Sequence, residues 1–277
     1  MNSFDSGKTV LSQKLAENLL ETGQSVEYFK PLSGHNYWYR YEHTQRCIAD
    51  SILASWDAHQ VRQVINSKVP LEIANPVHSL YVPSVLNQPS DSIRSSLAIG
   101  GWDSVLVMQR FSRPSEKGTN SVSLLARNLI DAERLMITSQ EVEDLTSGTK
   151  VFPLENGREF ETYSDTHLEQ VLSESLDSIE RSTDVTIIEG FNDSAWPWEG
   201  LDRVDSVIVT GPGHLFTYDP ERFKKAAFLV KYGSQPIREV SFSRVTEMIK
   251  PDEVVHLRPH QGISSDLMSS LGPLGKE

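Results

Sequence analysis

The sequence predicts an α/β protein in which helices cover both faces of a mostly parallel sheet. An amphipathic pattern over Val10–Thr22 predicts a helix that ends at Gly23, and Ser25–Lys30 predicts a strand directly after it. Helix, tight turn and strand in this order are typical of the second half of a βαβ unit. Two β-branched runs, Asp184–Gly190 and Val204–Gly211, have the continuous apolar character of buried parallel strands.

Three further segments extend this α/β pattern toward the C-terminus. Asp165–Ser182 carries an apolar stripe at helical spacing, and Thr166 with Glu169 offers a capping box at its start. Pro220–Val230 predicts another helix, because proline is favoured at a first helical position. Glu253–Leu257 predicts a last strand.

The middle of the chain is predicted to form a β-rich insertion. Asp103–Ser112 and Ser121–Ile130 are separated by a polar stretch that contains glycine. Asn156-Gly157 lies between two β-like runs and predicts a hairpin turn. The expected organisation is residues 1–94 for the first half of the α/β domain, 95–163 for the insertion, 164–259 for the second half and 260–277 for a loose C-terminal tail.

The composition narrows the classes of function. The chain has 277 residues and a formal net charge of −12, so its surface is expected to repel nucleic acid. Cys47 is the single cysteine, which excludes an intrachain disulfide and fits a reducing cytoplasm. No apolar run reaches the roughly 20 residues of a membrane span, and the N-terminus is too polar for a signal peptide. We expect a cytoplasmic protein without nucleic-acid or membrane partners.

The run Asp5–Thr9 matches the end of a phosphate-binding loop, G-x-x-x-x-G-K-[ST]. In such loops backbone N–H groups and a helix N-terminus surround the phosphates, a lysine adds positive charge, and Ser or Thr binds magnesium. Gly7, Lys8 and Thr9 fit this pattern, whereas Asn2 stands where the first glycine belongs. A G-K-T run alone is a weak signal, so an exposed polar terminus is the alternative interpretation.

Later stretches strengthen the match, and they occur in a fixed order: Tyr28–Gly34 (YFKPLSG), Ser55–Val64 (SWDAHQVRQV), the proline-punctuated loop Ala74–Ser84 (ANPVHSLYVPS) and Thr186–Asp193 (TIIEGFND). With the G-K-T loop they resemble the dethiobiotin synthetase branch of P-loop proteins, which includes the cobyrinic acid amide synthases. The resemblance covers about residues 5–84 and 184–218. The segment KPLSGHNYWYRYEH is more similar still to an archaeal group of predicted P-loop ATPases or GTPases.

This resemblance implies a P-loop nucleoside triphosphatase that binds Mg²⁺ and ATP or GTP and acts on a small-molecule substrate, and it allows a homodimer. Lys8 is expected to contact the β- and γ-phosphates, and Lys30 the γ-phosphate and the substrate. Lys8, Lys30 and Glu189 are the catalytic candidates. The expected magnesium ligands are Thr9, Asp57 and Glu189. The nucleotide-binding candidates are Asp5, Ser6, Gly7, Lys8, Thr9 and Val10.

Position in the predicted sheet independently favours two of these residues. Lys30 and Glu189 both follow strands, and parallel sheets bind ligands at the carboxyl ends of their strands. The alternatives are a solvated Lys30, and a Glu189 that is a helix cap or a surface acid. Asp57 fits a helix N-cap as well as a metal ligand, and Asp50 is a weaker substitute. Asp5 fits either a turn or a group near the attacking oxygen.

The stretch Gly34–His43 (GHNYWYRYEH) combines four aromatic residues with polar groups soon after Lys30. It predicts a substrate pocket with aromatic walls, and the alternative is an aromatic loop packed over the sheet edge. His43 and Cys47 stand four residues apart and could face one metal ion on a helix, but no second ligand pair is evident nearby. The substrate-binding candidates are Ser33, Gly34, His35, Asn36 and Arg40.

The segment after Glu189 departs from the E-G-x-G-G pattern of the dethiobiotin branch, because Phe191, Asn192 and Asp193 replace small residues. Dethiobiotin synthesis itself is therefore not expected. We expect a ligase-like enzyme or hydrolase that transfers the γ-phosphate to a small carboxylate- or carbamate-like substrate. The alternatives are a nucleotide-dependent switch or metallochaperone, and an N-terminally truncated inactive form. Ser3 stands where dimerising switch-type relatives carry lysine, which weighs against the switch.

One strand of the implied fold has no place in the sequence. The resemblance requires a central strand before the phosphate loop, and too few residues precede Gly7 to form it. We therefore expect the natural protein to begin upstream of Met1.

Overall fold

The computed structural model describes residues 7–86 and 104–257, which fall into two compact units. Unit A takes its residues from Met1–Pro31, Gln60–Val69 and Leu176–Glu277. Unit B takes its residues from Leu32–His59 and Pro70–Ser175. These bounds do not coincide with the predicted divisions at residues 95 and 163. Asp5, Ser6 and the predicted tail lie outside the described residues.

The predicted α/β character is confirmed. The helices are α1 (Lys8–Glu21), α2 (Tyr41–Asp50), α3 (Trp56–Ile65), α4 (Leu71–Ala74), α5 (Arg127–Asp131), α6 (Ser139–Thr146), α7 (Gly157–Glu180), α8 (Pro220–Leu229) and α9 (Phe242–Thr246). The strands are β1 (Val26–Phe29), β2 (Leu32–Asn36), β3 (Val77–Pro83), β4 (Ser104–Ser115), β5 (Gly118–Leu125), β6 (Lys150–Pro153), β7 (Val185–Ile188), β8 (Val207–Gly211), β9 (His214–Tyr218) and β10 (Glu253–His256). Among the described residues, no helix combines the length and apolarity needed to cross a bilayer.

Unit A contains a parallel pair of strands and a separate antiparallel group. β1 pairs with β7, with Val26 beside Val185 and Phe29 beside Ile188, so the predicted parallel relation between these strands is confirmed. β8, β9 and β10 form the antiparallel sheet. The prediction that β8 is a buried parallel strand is wrong, because a tight turn at Gly213, with φ of 74°, returns the chain antiparallel beside it.

Helix α1 packs its apolar stripe against strands of both sheets in unit A. Leu11 and Leu15 lie buried beside Leu215 of β9, and Ile187 of β7 packs against them. Gly23, with φ of 84°, follows the helix and confirms the predicted stop. The sequence predicted that β7 is fully buried, but its residues are half-buried. They are less covered because, within the described residues, only β1 pairs with this strand.

Unit B is built on a five-stranded mixed sheet in the order β2-β3-β4-β5-β6. β2 and β3 are parallel, β4 runs antiparallel to both of its neighbours, and β5 and β6 are parallel. The prediction of a loop over Ala74–Ser84 is wrong, because β3 occupies most of that range. Pro76 and Pro83 stand just before this strand and at its last residue, where a missing N–H interrupts little of the ladder.

A second local prediction is wrong at Asn156-Gly157, because β6 is followed by α7 and not by a hairpin partner. The Asn156 side chain instead accepts hydrogen bonds from the backbone N–H groups of Arg158 at 3.1 Å and Glu159 at 3.3 Å. This caps the start of α7. The predicted capping box at Thr166 is therefore also wrong, since Thr166 lies inside α7 and its hydroxyl donates to the Thr162 carbonyl at 2.8 Å.

Candidate functional site

The N-terminus of α1 presents four of the predicted nucleotide-binding residues, namely Gly7, Lys8, Thr9 and Val10. Gly7 precedes the helix with φ of 88°, a left-handed conformation that glycine adopts freely, and its carbonyl accepts from the Leu11 N–H at 2.9 Å. Lys8 and Thr9 therefore stand in the first turn, where backbone N–H groups have no helical acceptor and the helix dipole favours an anion. The Nζ of Lys8 donates to the backbone carbonyl of Asn192 at 3.0 Å.

The carboxylate of Glu189, at the end of β7, is the centre of a buried polar group in unit A. Its Oε1 accepts from the Lys30 Nζ at 2.6 Å and from the Thr9 Oγ1 at 3.4 Å. Its Oε2 accepts from the Tyr28 hydroxyl at 2.9 Å and from the Ser12 Oγ at 3.1 Å. We refer to these five residues as the Glu189 cluster. The parallel pairing of β1 with β7 under α1 brings them together.

The two charged members of the Glu189 cluster are deeply buried. The side chains of Lys30 and Glu189 are each 4% exposed, so the alternatives of a solvated Lys30 and a surface acid at Glu189 are wrong. A carboxylate at this depth is stable only when it is paired, and the ammonium together with three hydroxyl donors meets that requirement. Removing either charge alone would leave the other buried without its counter-charge, at a cost of about 3–5 kcal/mol.

The cluster unites predicted and unpredicted residues. Thr9, Lys30 and Glu189 were predicted from the motifs, and the structure brings them into contact. Ser12 and Tyr28 were missed. Ser12 stands three residues after Thr9 on α1, and Tyr28 stands two residues before Lys30, which are the spacings of one helix face and one strand face.

Asp57, the third predicted magnesium ligand, lies in the first turn of α3 and belongs to unit B, whereas Thr9 and Glu189 belong to unit A. The alternative of a helix N-cap at Asp57 is wrong, because Ser55 fills that position. The Ser55 carbonyl accepts from the His59 N–H at 3.1 Å, and its Oγ accepts from the Ala58 N–H at 3.5 Å.

Three of the predicted substrate-binding residues in unit B have buried side chains with protein partners. The Ser33 Oγ lies 2.6 Å from the Nδ1 of His78, and the Nδ1 of His35 lies 2.7 Å from the Nε2 of His78. The Asn36 Nδ2 donates to the Ser104 Oγ at 2.7 Å, and its Oδ1 accepts from the Trp38 N–H at 2.9 Å. Asn36 therefore shapes the chain between β2 and α2.

The other two candidates differ in their surroundings. At Gly34 a Cβ would come within 3.1 Å of the Tyr81 ring, so glycine is needed for the close packing of β2 against β3. Arg40 is exposed at the start of α2. Of the aromatic residues in this stretch, Tyr37 is buried in the core of unit B. The exposed ones are Trp38, Tyr39 and Tyr41.

The loop after Glu189 is fixed in unit A by two buried indoles. Trp198 packs edge-on against Phe29, with ring centroids 5.8 Å apart, and Trp196 donates from Nε1 to the Leu201 carbonyl at 3.2 Å. Asn192, whose carbonyl holds Lys8, adopts a left-handed φ of 49° that asparagine tolerates. The acceptor of the Lys8 ammonium thus belongs to an anchored loop.

The fold and the site together define an α/β protein with a buried ionic cluster at a helix N-terminus. No protein-family model matches the chain, and searches of curated proteins and of solved structures return no similar protein. The resemblance to P-loop nucleoside triphosphatases rests on the sequence motifs.

Proposed function

We propose that unit A binds a Mg²⁺–nucleoside triphosphate, ATP or GTP, at the N-terminus of α1. The γ-phosphate would pass to a small carboxylate- or carbamate-like substrate. One observation carries this proposal. Thr9, which directly follows Lys8, is 180 residues from Glu189 in sequence, and the two meet with Lys30 in one buried cluster. These are the residue types and positions that phosphate and magnesium binding requires.

The phosphate groups would be held by the first turn of α1. Its backbone N–H groups and the positive end of its dipole favour an anion, and the left-handed Gly7 directs the chain into that turn. The Lys8 ammonium donates to the Asn192 carbonyl at 3.0 Å. A phosphate oxygen is a stronger acceptor than a carbonyl, because the hydrogen bond to it is charge-assisted on both sides.

The oxygen atoms of Thr9 and Glu189 fit the ligand requirements of Mg²⁺. The ion prefers hard oxygen ligands at about 2.0–2.1 Å in octahedral geometry, which places adjacent ligands about 3 Å apart. Thr9 Oγ1 and Glu189 Oε1 lie 3.4 Å apart, so a small adjustment would allow both to bind one ion. The ion would supply charge neutralisation at the phosphates.

Lys30 would stabilise the transferred phosphoryl group. It shares Oε1 of Glu189 with Thr9, so its ammonium is expected to turn from the carboxylate toward the γ-phosphate once a second cation compensates Glu189. Burial strengthens this electrostatic contribution, because the local dielectric is low. Positioning and charge would then supply most of the rate enhancement.

Calorimetric titration of MgATP and MgGTP into the chain tests the proposal. Lys8→Ala is expected to weaken binding about 10- to 100-fold, since a hydrogen bond between charged groups contributes about 1.5–3 kcal/mol. Lys14→Ala is the matched control, because Lys14 lies on the same helix, is 45% exposed and pairs with Glu17. Its affinity should equal that of the wild type. Absence of binding to the wild type, or equal affinity in Lys8→Ala, would refute the proposal.

Product analysis then separates the enzyme from the nucleotide-dependent switch. A phosphorylated or condensed small molecule that forms with ATP or GTP supports the enzyme. Dimerisation that follows nucleotide binding, with no small-molecule product, supports the switch.

A further inference from the structure

Unit B contains a cluster of three histidines that the sequence motifs did not indicate as a group. His35 lies on β2, His78 on the neighbouring β3 and His43 on α2, and one ring nitrogen of each lies within 4.8 Å of the others. His35 and His78 are buried, and His43 is half-buried. We refer to these residues as the histidine cluster. Its three residues belong to unit B, whereas the residues that carry the function proposed above belong to unit A.

The tautomer of His43 follows from its hydrogen bond. Its Nε2 lies 2.7 Å from the Ala54 carbonyl oxygen, which can only accept, so Nε2 carries the proton. A neutral imidazole has one N–H, so Nδ1 carries a bare lone pair. This buried Nδ1 has no hydrogen-bond partner among the described residues. A buried lone pair of this kind is suited to a metal ion, and the outer bond to a backbone carbonyl is typical of metal-binding histidines.

His35 is oriented in a similar way. Its Nε2 lies 3.0 Å from the Thr44 Oγ1, and that hydroxyl is 3.3 Å from the Arg40 carbonyl, to which it donates. When the Thr44 hydroxyl donates to the Arg40 carbonyl it accepts from the His35 Nε2–H, and in this tautomer the bare nitrogen of His35 is Nδ1. This Nδ1 lies 2.7 Å from the Nε2 of His78.

His78 has two available tautomers. Its Nδ1 lies 2.6 Å from the Ser33 Oγ, which also accepts from the Asn75 Nδ2 at 2.7 Å. Without a metal, the Ser33 hydroxyl can donate to Nδ1 while the Nε2–H of His78 donates to His35. In the other tautomer Nδ1–H donates to Ser33, whose hydroxyl turns to the Val77 carbonyl at 3.4 Å. Each of the three imidazoles then has one nitrogen without a proton, and the change needs only a proton shift and a hydroxyl rotation.

The electrostatic surroundings keep the imidazoles in their ligand form. Burial first, and then the charges of His43 and Arg40, hold the pKa of His35 well below its ordinary value. Burial also lowers the pKa of His43, an effect that the hydrogen bond to the Ala54 carbonyl and the charge of Asp57 oppose and that His59 and Arg46 reinforce. Neutral imidazole is the form that binds transition metals.

We propose that His35, His43 and His78 bind one divalent transition-metal ion, best fitted by Zn²⁺, with a fourth position open to water or a small anion. The ligand atoms are Nδ1 of His35, Nδ1 of His43 and Nε2 of His78. Three histidines and an open position are the arrangement of catalytic zinc sites. Zinc–nitrogen bonds of about 2.0–2.1 Å place tetrahedral ligands about 3.3 Å apart, so the 2.7 Å contact of His35 with His78 must lengthen when the ion binds.

Cys47 is not part of the proposed site. Its Sγ lies 3.7 Å from the Nε2 of His43, on the side of the ring that faces Ala54, and burial raises its thiol pKa to about 11. The proposed ligands are therefore His43 with His35 and His78 of the sheet, and not the pair of His43 and Cys47 that the sequence suggested.

Zinc titration of the full chain, previously dialysed against a chelator, tests this site. The wild type should bind one Zn²⁺, and Co²⁺ as a probe should give the intense visible absorption of a tetrahedral site without a thiolate charge-transfer band. His43→Gln should weaken zinc binding more than about 100-fold, beyond the effect expected for an outer partner. This variant is chosen because His43 is half-buried and a glutamine amide can still donate to Ala54. Thr44→Val, which removes only the partner of His35, should weaken binding about 10- to 100-fold.

The matched control is His214→Gln, which removes one ring of the His214–His256 pair in unit A, where the centroids lie 5.0 Å apart. Zinc affinity should be unchanged in this variant. The proposal is overturned if the wild type takes up no zinc, if His43→Gln binds as tightly as the wild type, if His214→Gln loses the ion, or if a cobalt–thiolate band appears.

Discussion

The Glu189 cluster of unit A and the histidine cluster of unit B differ in how their buried polar groups find partners. In the first, a carboxylate meets an ammonium and three hydroxyl donors, so its charge is compensated within the protein. In the second, neutral bases gather, and the Nδ1 of His43 lacks a hydrogen-bond partner among the described residues. In the first arrangement the protein therefore compensates its own buried charges, whereas in the second a buried lone pair has no donor among the described residues.

The comparison also separates two kinds of ligand. The Glu189 cluster offers hard oxygen atoms beside a helix N-terminus, which suits Mg²⁺ with phosphate. The histidine cluster offers imidazole nitrogen atoms, which suit zinc. Four substitutions test this contrast, and their expected effects on the free energy of unfolding decrease from Glu189→Ala to Thr9→Val.

Glu189→Ala should have the largest effect, a loss of about 3–5 kcal/mol, because it leaves the Lys30 ammonium buried without its carboxylate. Urea denaturation followed by tryptophan fluorescence measures it. The control is Asp205→Ala, which breaks the exposed Arg203–Asp205 pair and should cost less than about 1 kcal/mol. The double variant Lys30→Met with Glu189→Leu should recover much of the loss. Equal costs for the buried and exposed pairs would contradict the assignment.

Tyr28→Phe should cost about 1.5–3 kcal/mol, because the Glu189 Oε2 loses a donor at 2.9 Å and the hydrogen bond is to a charged group. Tyr163→Phe is the matched control: its ring packs against Phe111, and it should change stability by less than about 0.5 kcal/mol. Denaturation curves of both variants make the comparison. A Tyr28 variant as stable as the Tyr163 variant would mean that the carboxylate does not depend on this hydroxyl.

His43→Gln in metal-free protein should change stability by less than about 1 kcal/mol. The Nδ1 that it removes has no hydrogen-bond partner among the described residues, and the glutamine amide can still donate to Ala54. Thermal unfolding with a chelator present measures this. A loss as large as that of Glu189→Ala would show that the histidine cluster is a structural hydrogen-bond network, like the cluster to which it is compared.

Thr9→Val should have the smallest effect on stability, about 0.5 kcal/mol or less, because its hydrogen bond to Glu189 is 3.4 Å long. Its effect on ligand binding should be specific to magnesium. Calorimetry should show weaker binding of MgATP or MgGTP, whereas binding of the nucleotide without Mg²⁺ stays the same. Equal loss with and without Mg²⁺ would exclude Thr9 as a metal ligand.

Much of unit A could be predicted from the sequence, because its signals are local. The apolar spacing of α1, the glycine stop after it and the β-branched run of β7 each correspond to an observed element. Lys30 and Glu189 were predicted from the motifs and from their position after strands, and the pairing of β1 with β7 brings them together. What the sequence did not predict is the depth of burial, since that depends on contacts across more than 150 residues.

Unit B was harder to predict because long-range pairing overrides its local signals. The prolines around β3 indicated a loop, yet both lie where the ladder tolerates them. That error concealed His78, which was assigned to the loop and not to a strand beside His35. Asn156 was likewise taken for a hairpin turn, although asparagine is as common at a helix N-cap as in a turn. The sequence therefore did not reveal that His35 and His78 lie close to His43, because the pairing of β2 with β3 brings these two histidines together.

In the most direct test of separate binding sites, the nucleotide and the zinc ion are each titrated into the same two variants. Mg²⁺–nucleotide and Zn²⁺ are each added to Lys8→Ala and to His43→Gln, with the wild type as reference. We expect Lys8→Ala to bind the nucleotide about 10- to 100-fold more weakly with unchanged zinc affinity, and His43→Gln to bind zinc more than about 100-fold more weakly with unchanged nucleotide affinity. A variant that loses both ligands, or neither, would contradict the assignment of separate binding sites to the two clusters.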